Sequence, residues 1–409
     1  MKTILAILTV LTFTSALQAQ SPVPSDYQPI YSQLDQILTM FNDKLNETWD
    51  GTRTNVDTAD ESIYGSSNNG LTLFDPHNIQ EMQTEISRMK LMGLSSVSLS
   101  IHFPYLYPDF WVFAGTPEKY QEMAQFYANV ANYVRGHGMK VVVETQTIFA
   151  DDSEMGTKVK DYYASLDWNG YMAARQQTAI NIANIVKPDY FTLISEPDTE
   201  ADLTGQTNLN TVEGVMQLVT PMAAAVKGLN IPGMKIGAGS GTWVKNFSGL
   251  LGGILQNTVA DYYSLHLYPI TGDFMPLCVQ AAREARKYGK STAIGETWAY
   301  KISSYEYGNG ISPFSIFRRD PYDFWAPIDS KALKVFLKMA NMSKMMFISP
   351  FWTRYLFSYV PYNDDTKDLL PQEMDQLAHD TAEAAMNAGQ FSSTGRAWSG
   401  YVKGTIPLD

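Results

Sequence analysis

The sequence has little that could bind metal, nucleic acid or a membrane. Its single cysteine, Cys278, allows no disulfide within the chain. Five histidines (His77, His102, His137, His266 and His379) are scattered without the paired spacing of a metal-ligand motif, so neither a metal site nor a cofactor is expected. Basic residues are in the minority, 30 against 42 acidic ones, and the formal charge of −12 argues against a nucleic-acid partner. No run reaches the ~18 continuous apolar residues of a membrane-spanning helix. No glycine-rich phosphate fingerprint follows an early strand pattern, which counts against a dinucleotide-binding fold. Oligomeric state is left open by the composition.

Residues 1–19 carry Lys2, an apolar run from Ile4 to Phe13 and the small-residue ending Ala16-Leu17-Gln18-Ala19. This pattern reads as a secretory signal peptide cleaved near Ala19, with a secreted or periplasmic location expected. Residues 20–70 form a lead-in, with a helix expected over Tyr31 to Lys44 and a polar stretch, Asn46 to Gly70, that hides a first strand. From 71 to 409 the punctuation becomes regular.

Asp75-Pro76 is an N-cap followed by proline at the first helical position. Ile79, Met82, Ile86 and Met89 then recur at helical spacing until Gly93 ends the helix. The pattern repeats. Helices over 117–135, 168–186, 209–226, 246–255, 276–288 and 329–342 each lead into a short apolar strand, and a last helix runs over 371–388. Seven placed strands, each preceded by a helix, plus one hidden strand fit a single (β/α)8 TIM barrel. Turns into the strands are short, whereas loops leaving them (103–116, 146–167 and 297–328) are long. In such a barrel the long loops frame the functional face. Aromatics crowd the same loops: His102 through Phe113, and Trp298 through Trp325 with Phe314 and Phe317. Most of these are expected to pack the loops, and a minority to offer flat faces to sugar rings.

Two strands end in a carboxylate: Tyr190 to Ser195-Glu196-Pro197, the fourth, and Ser291 to Gly295-Glu296-Thr297-Trp298, the seventh. Either acid alone reads as a solvated strand end. Together they face one barrel mouth from opposite sides, the arrangement that glycosidic bond cleavage requires. Asp198, Glu200 and Asp202 read as a solvated acidic face, and Asp151, Asp152 and Glu154 as a plain polar loop.

These motifs resemble those of the clan A glycoside hydrolases, retaining barrel enzymes that include cellulases, mannanases and galactanases. In that clan an Asn-Glu-Pro-like motif ends the fourth strand and a Gly-Glu-like pair the seventh. The resemblance implies Glu196 as acid/base and Glu296 as nucleophile, acting on poly- or oligosaccharides without a cofactor. Ser264-Leu265-His266-Leu267-Tyr268 is similar to the clan's His-x-Tyr, implying a hydrogen bond from Tyr268 to the nucleophile and a place for His266 near both acids. Phe351-Trp352 is similar to its aromatic subsite floor, and Trp298 and Trp243 are further candidates for subsite walls. Two departures stand out. Ser195 replaces the clan's usual asparagine, and His102 stands where an arginine commonly ends the second strand, with Glu144 on the third. They motivate the alternative of a non-catalytic carbohydrate-binding barrel.

Overall fold

The computed structural model describes residues 20–149, 154–310, 316 and 318–409. The leader-like residues 1–19, Asp151, Asp152, Phe314 and Phe317 lie outside them, as does the side chain of Glu154. Eight strands form one parallel sheet: β1 (Asp57–Thr58), β2 (Ser96–Ser100), β3 (Lys140–Glu144), β4 (Tyr190–Thr192), β5 (Lys235–Gly241), β6 (Tyr262–Leu267), β7 (Ser291–Thr297) and β8 (Phe347–Pro350). From β2 to β8 each strand pairs with the next, and β8 pairs with β1. Between β1 and β2 the ring is completed by Ser98, whose amide donates to the Asp60 carbonyl and whose carbonyl accepts from the Ser62 amide, both at 2.9 Å. The fold is the expected (β/α)8 barrel.

The strands are short, apolar and covered on both faces, as parallel strands must be. Inside the lower barrel, Ala59, Val142, Tyr262, Ala293 and Phe347 pack into a plug, with Tyr190 against them. Only glycine fits at 237, because a Cβ there would meet the Tyr262 ring at 2.1 Å. The plug closes the lower barrel and leaves the upper mouth as the open end.

Helix boundaries follow the local signals. Asp75 caps helix Pro76–Met92 by accepting from the His77 amide, and Gly93 ends it at a φ of 96°. Helix Trp168–Val186 has the bounds expected, capped by Asp167. Three expectations need correction. The fourth strand was expected to reach Glu196 but regular pairing stops at Thr192; Leu193 and Ile194 continue with single hydrogen bonds to Gly237 and Gly239. Helix 371–388 is not the last, since Ser392 caps a further helix, Ser393–Lys403, which packs on helices Pro76–Met92 and Ala326–Ser343. The acidic run after β4 is not a solvated face. Glu200 is fully buried on helix Pro197–Thr204, because the helical turn points it inward while Asp202 stays outside. The lead-in helix, Gln28–Asn46, packs along helix Ala326–Ser343. No helix among the described residues is long and apolar enough to cross a membrane.

Candidate active site

All eight strand ends contribute to one cavity at the barrel mouth, of about 730 Å³. Glu61 follows β1, Ser100 and His102 end β2, and Glu144 and Gln146 end β3. Glu196 follows β4, Trp243 β5, Tyr268 β6 and Phe351-Trp352 β8, while Glu296 lies near the end of β7. The cavity at the opposite end, about 690 Å³, is lined by Arg53, Asp57 and Lys140 among others and brings no pair of acids together.

Local backbone features aim the two strand-end acids. Leu265 pairs with Ile294 but His266 pairs with Glu296, so Gly295 is an extra residue in β7. Such a bulge re-aims the side chain that follows it. Glycine is required there, because a Cβ at 295 would lie 2.1 Å from Glu144 Oε1 and 2.6 Å from Ser264 Oγ. The Gly-Glu pair therefore has a steric cause: removing one side chain lets Glu144 cross beneath Glu296. On the other side, Glu196 stands directly before Pro197, which opens helix Pro197–Thr204, and its Oε2 accepts from Thr199 Oγ1 at 2.7 Å. Behind this turn, the buried Arg175 pairs with Glu200 at 2.8 Å and also donates to the Thr145 and Leu193 carbonyls. That anchor holds the ends of β3 and β4 together.

His266 is the hub. Fully buried under the cavity floor, it donates from Nδ1 to Glu196 Oε1 and from Nε2 to Glu144 Oε2, both at 2.8 Å. Its Nδ1 also lies 3.6 Å from Glu296 Oε2. Burial would neutralise the ring, but Glu296 and Glu144 outweigh it and hold the imidazolium well above the usual histidine range. Burial opposes the charge of Glu144 as well, yet His266 and the Ser264 hydroxyl bring its carboxyl below the ordinary value. Glu296 is the opposite case. Burial, assisted by Glu196 and Glu144 and opposed by His266, pushes it up to about 7. Tyr268 donates its hydroxyl to Glu296 Oε1. Burial and the neighbouring Glu296 also push the Glu61 carboxyl well up, and Ser100 donates to it. One oxygen each of Glu196 and Glu296 and a nitrogen of His266 all lie within 4.8 Å of one another.

Of the residues singled out from the sequence, Glu196, Glu296, Tyr268, Trp243, Trp352 and His102 line the cavity, and His266 lies beneath it. His102 is buried, and burial together with Arg175 lowers its ring to about 3; the Gln146 amide donates to its Nδ1 at 3.1 Å, leaving the proton on Nε2. Two residues are placed elsewhere. Trp298 is 1% exposed and packs against Tyr355, which in turn packs against Trp352; regular β7 ends at Thr297, so the strand does not carry Trp298 to the mouth. Ser195 is fully buried and accepts from Gln146 Nε2 at 2.6 Å, so it is Gln146 that reaches the cavity from this pair. Glu61, Ser100 and Gln146 were not foreseen, Tyr300 was expected only as one of the loop aromatics, and Glu144 was noted only as a departure.

Aromatic rings form one wall. Trp243 and Tyr268 centroids are 5.7 Å apart, and Tyr268 and Tyr300 5.1 Å apart. The other loop aromatics mostly pack: Phe103, Tyr105, Phe110, Trp111, Tyr322, Phe324 and Trp325 are buried.

No protein-family model matches the sequence, and neither does any curated protein. Solved structures do match in fold. The GH5_18 protein from Bifidobacterium longum subsp. longum, solved in complex with Manb1-4GlcNAc, is 12% identical over 86% of this chain and 79% of its own, with a TM-score of 0.52. Virulence factor SghA from Agrobacterium tumefaciens is 10% identical over 89% of this chain and 99% of its own, with a TM-score of 0.50. The exo-beta-1,4-mannosidase Op5Man5 from an Opitutaceae bacterium is 13% identical over 81% of this chain but only 60% of its own, at 0.49. At these identities the likeness to the first two establishes a shared barrel architecture.

Proposed function

We propose that this protein is a retaining glycoside hydrolase that cleaves poly- or oligosaccharides by double displacement. The observation that carries this reading is the close approach of Glu196 and Glu296 at the barrel mouth, within 4.8 Å at their nearest oxygens. Retaining enzymes hold their two carboxyls ~5–5.5 Å apart, and inverting enzymes ~6.5–9.5 Å apart to admit a water. The Bifidobacterium longum neighbour, solved with Manb1-4GlcNAc, and the aromatic wall agree with a sugar ligand.

Glu296 Oε2 attacks the anomeric carbon as the bond from that carbon to the leaving oxygen breaks, and Glu196 gives its proton to that oxygen. Glu196, now ionised, then takes a proton from a water whose oxygen attacks the same carbon and releases Glu296. Tyr268 and His266 both face Glu296 and stabilise its charged form before attack and on release. Trp243, Tyr300 and Trp352 present ring faces against which a pyranose can lie. Export is part of the proposal and rests on the leader-like residues 1–19.

The test is a panel of purified polysaccharides and aryl glycosides, with product size and anomeric configuration read by NMR. Turnover with retained configuration is expected. In Glu196→Ala, aryl glycosides with good leaving groups remain partly reactive and azide restores their rate. Sugar binding without turnover of any panel member would favour the non-catalytic carbohydrate-binding reading.

A further inference from the structure

His77 and Glu81 stand one turn apart on helix Pro76–Met92, and His379 and Glu383 one turn apart on helix Pro371–Asn387. These helices pack against each other. The first follows β1 and the second follows β8, so their contact crosses the seam where the two ends of the barrel meet. That seam is thin, since β1 contributes only two regular strand residues.

Three potential ligands converge there, and a fourth residue, His379, approaches one of them. His77 Nε2 is 3.4 Å from Glu383 Oε1, and His77 Nδ1 is 3.9 Å from Glu81 Oε1. His379 Nε2 is 3.6 Å from Glu383 Oε2. One donor atom from each of His77, Glu81 and Glu383 lies within 4.8 Å of the others. The Glu81 side chain is only 2% exposed, yet its Oε2 has no hydrogen-bond partner among the described residues. An orphaned carboxylate oxygen is costly in a buried place unless a cation meets it. Neighbours orient the other oxygens: Asn387 Nδ2 donates to Glu81 Oε1 at 3.1 Å, and the Tyr64 hydroxyl to Glu383 Oε2 at 3.0 Å. Such outer donors are the usual company of metal ligands.

We propose that His77, Glu81 and Glu383, with His379 beside Glu383, form a divalent-metal site of the zinc class that clamps helix Pro76–Met92 to helix Pro371–Asn387. Mixed imidazole and carboxylate donors suit zinc. Bonds of ~2.0–2.2 Å set tetrahedral donor atoms about 3.4 Å apart. Turning His77, whose side chain is 64% exposed, closes the remaining distance. The histidines show no ligand spacing in the sequence because the two halves of the site lie on helices at opposite ends of the chain.

The test uses the full chain, stripped with EDTA and titrated with zinc chloride, with bound metal and Tm both measured. One equivalent is expected to bind, raising Tm by about 3 °C at a hundredfold excess over Kd. His77→Ala and Glu383→Gln should each weaken binding at least tenfold while leaving the circular dichroism spectrum and sugar hydrolysis as in the parent. No binding by the parent protein overturns the site. So does binding that both variants retain, which would place the metal elsewhere, for example at Glu196, His266 and Glu296, where it would inhibit hydrolysis.

Discussion

Two buried ionic clusters lie on either side of the β4 end, and they are built on opposite principles. Behind it, Arg175 meets Glu200, and the guanidinium also satisfies the Thr145 and Leu193 carbonyls. One cation faces one anion, and Tyr171 donates to the same carboxylate. At the mouth, His266 is the single cation among the described residues that pairs with Glu144, Glu196 and Glu296, with Glu61 close by. The first cluster is balanced and holds its charges; the second is overloaded with acid, so protons must remain in it near neutrality. A charge-matched pair is a fixture, whereas an unmatched one can exchange protons with a substrate.

Three perturbations probe that contrast. The largest effect falls in the acidic cluster: Glu296→Ala should lower kcat by about ten-thousand-fold or more while leaving sugar affinity and Tm nearly intact, since it removes the atom proposed to attack and relieves crowding of charge. Residual rates within tenfold of the parent would remove Glu296 from the mechanism. Next comes the balanced pair. Arg175→Met should cost ~3–5 kcal/mol in denaturant unfolding, because Glu200 stays buried without its cation. Adding Glu200→Leu should recover part of that loss, and failure to recover any would show that the bonds to Thr145 and Leu193 dominate.

The smallest effect is in pH. In the proposed mechanism attack requires an ionised Glu296, whose raised value of about 7 makes the acid limb of kcat/KM fall as pH drops through that value. Tyr268 lowers this value by donating to the carboxylate, so Tyr268→Phe should shift the limb upward by up to about 1 pH unit, ~1.4 kcal/mol. A limb centred below pH 5 in the parent would contradict the overloaded cluster.

Much of the barrel was legible because its signals are local. Asp75, Pro76 and Gly93 bracket a helix through their own backbone preferences. Glu196 and Glu296 were visible because each follows an apolar strand. β1 was hidden, since two paired residues, Asp57 and Thr58, make no alternating pattern, and Glu61 was hidden with it. Trp298 was drawn to the cleft by its place two residues after Glu296, where strand alternation would give it the same face, but regular β7 ends at Thr297 and Trp298 packs inward against Tyr355. Glu144 could have been found from the glycine at 295, an absent side chain that signals another group occupying its space.

The order of helices and strands, the open upper face and the two strand-end acids were thus determined by the sequence itself, through caps, periodicity and loop length. The tertiary structure alone decided that His266 would bridge Glu144 and Glu196, that Gln146 rather than Ser195 would face the cavity, and that Arg175 would find Glu200. Those choices depend on which strand ends a closed ring brings side by side. Charge and burial act through space, so no local pattern of residues encodes them.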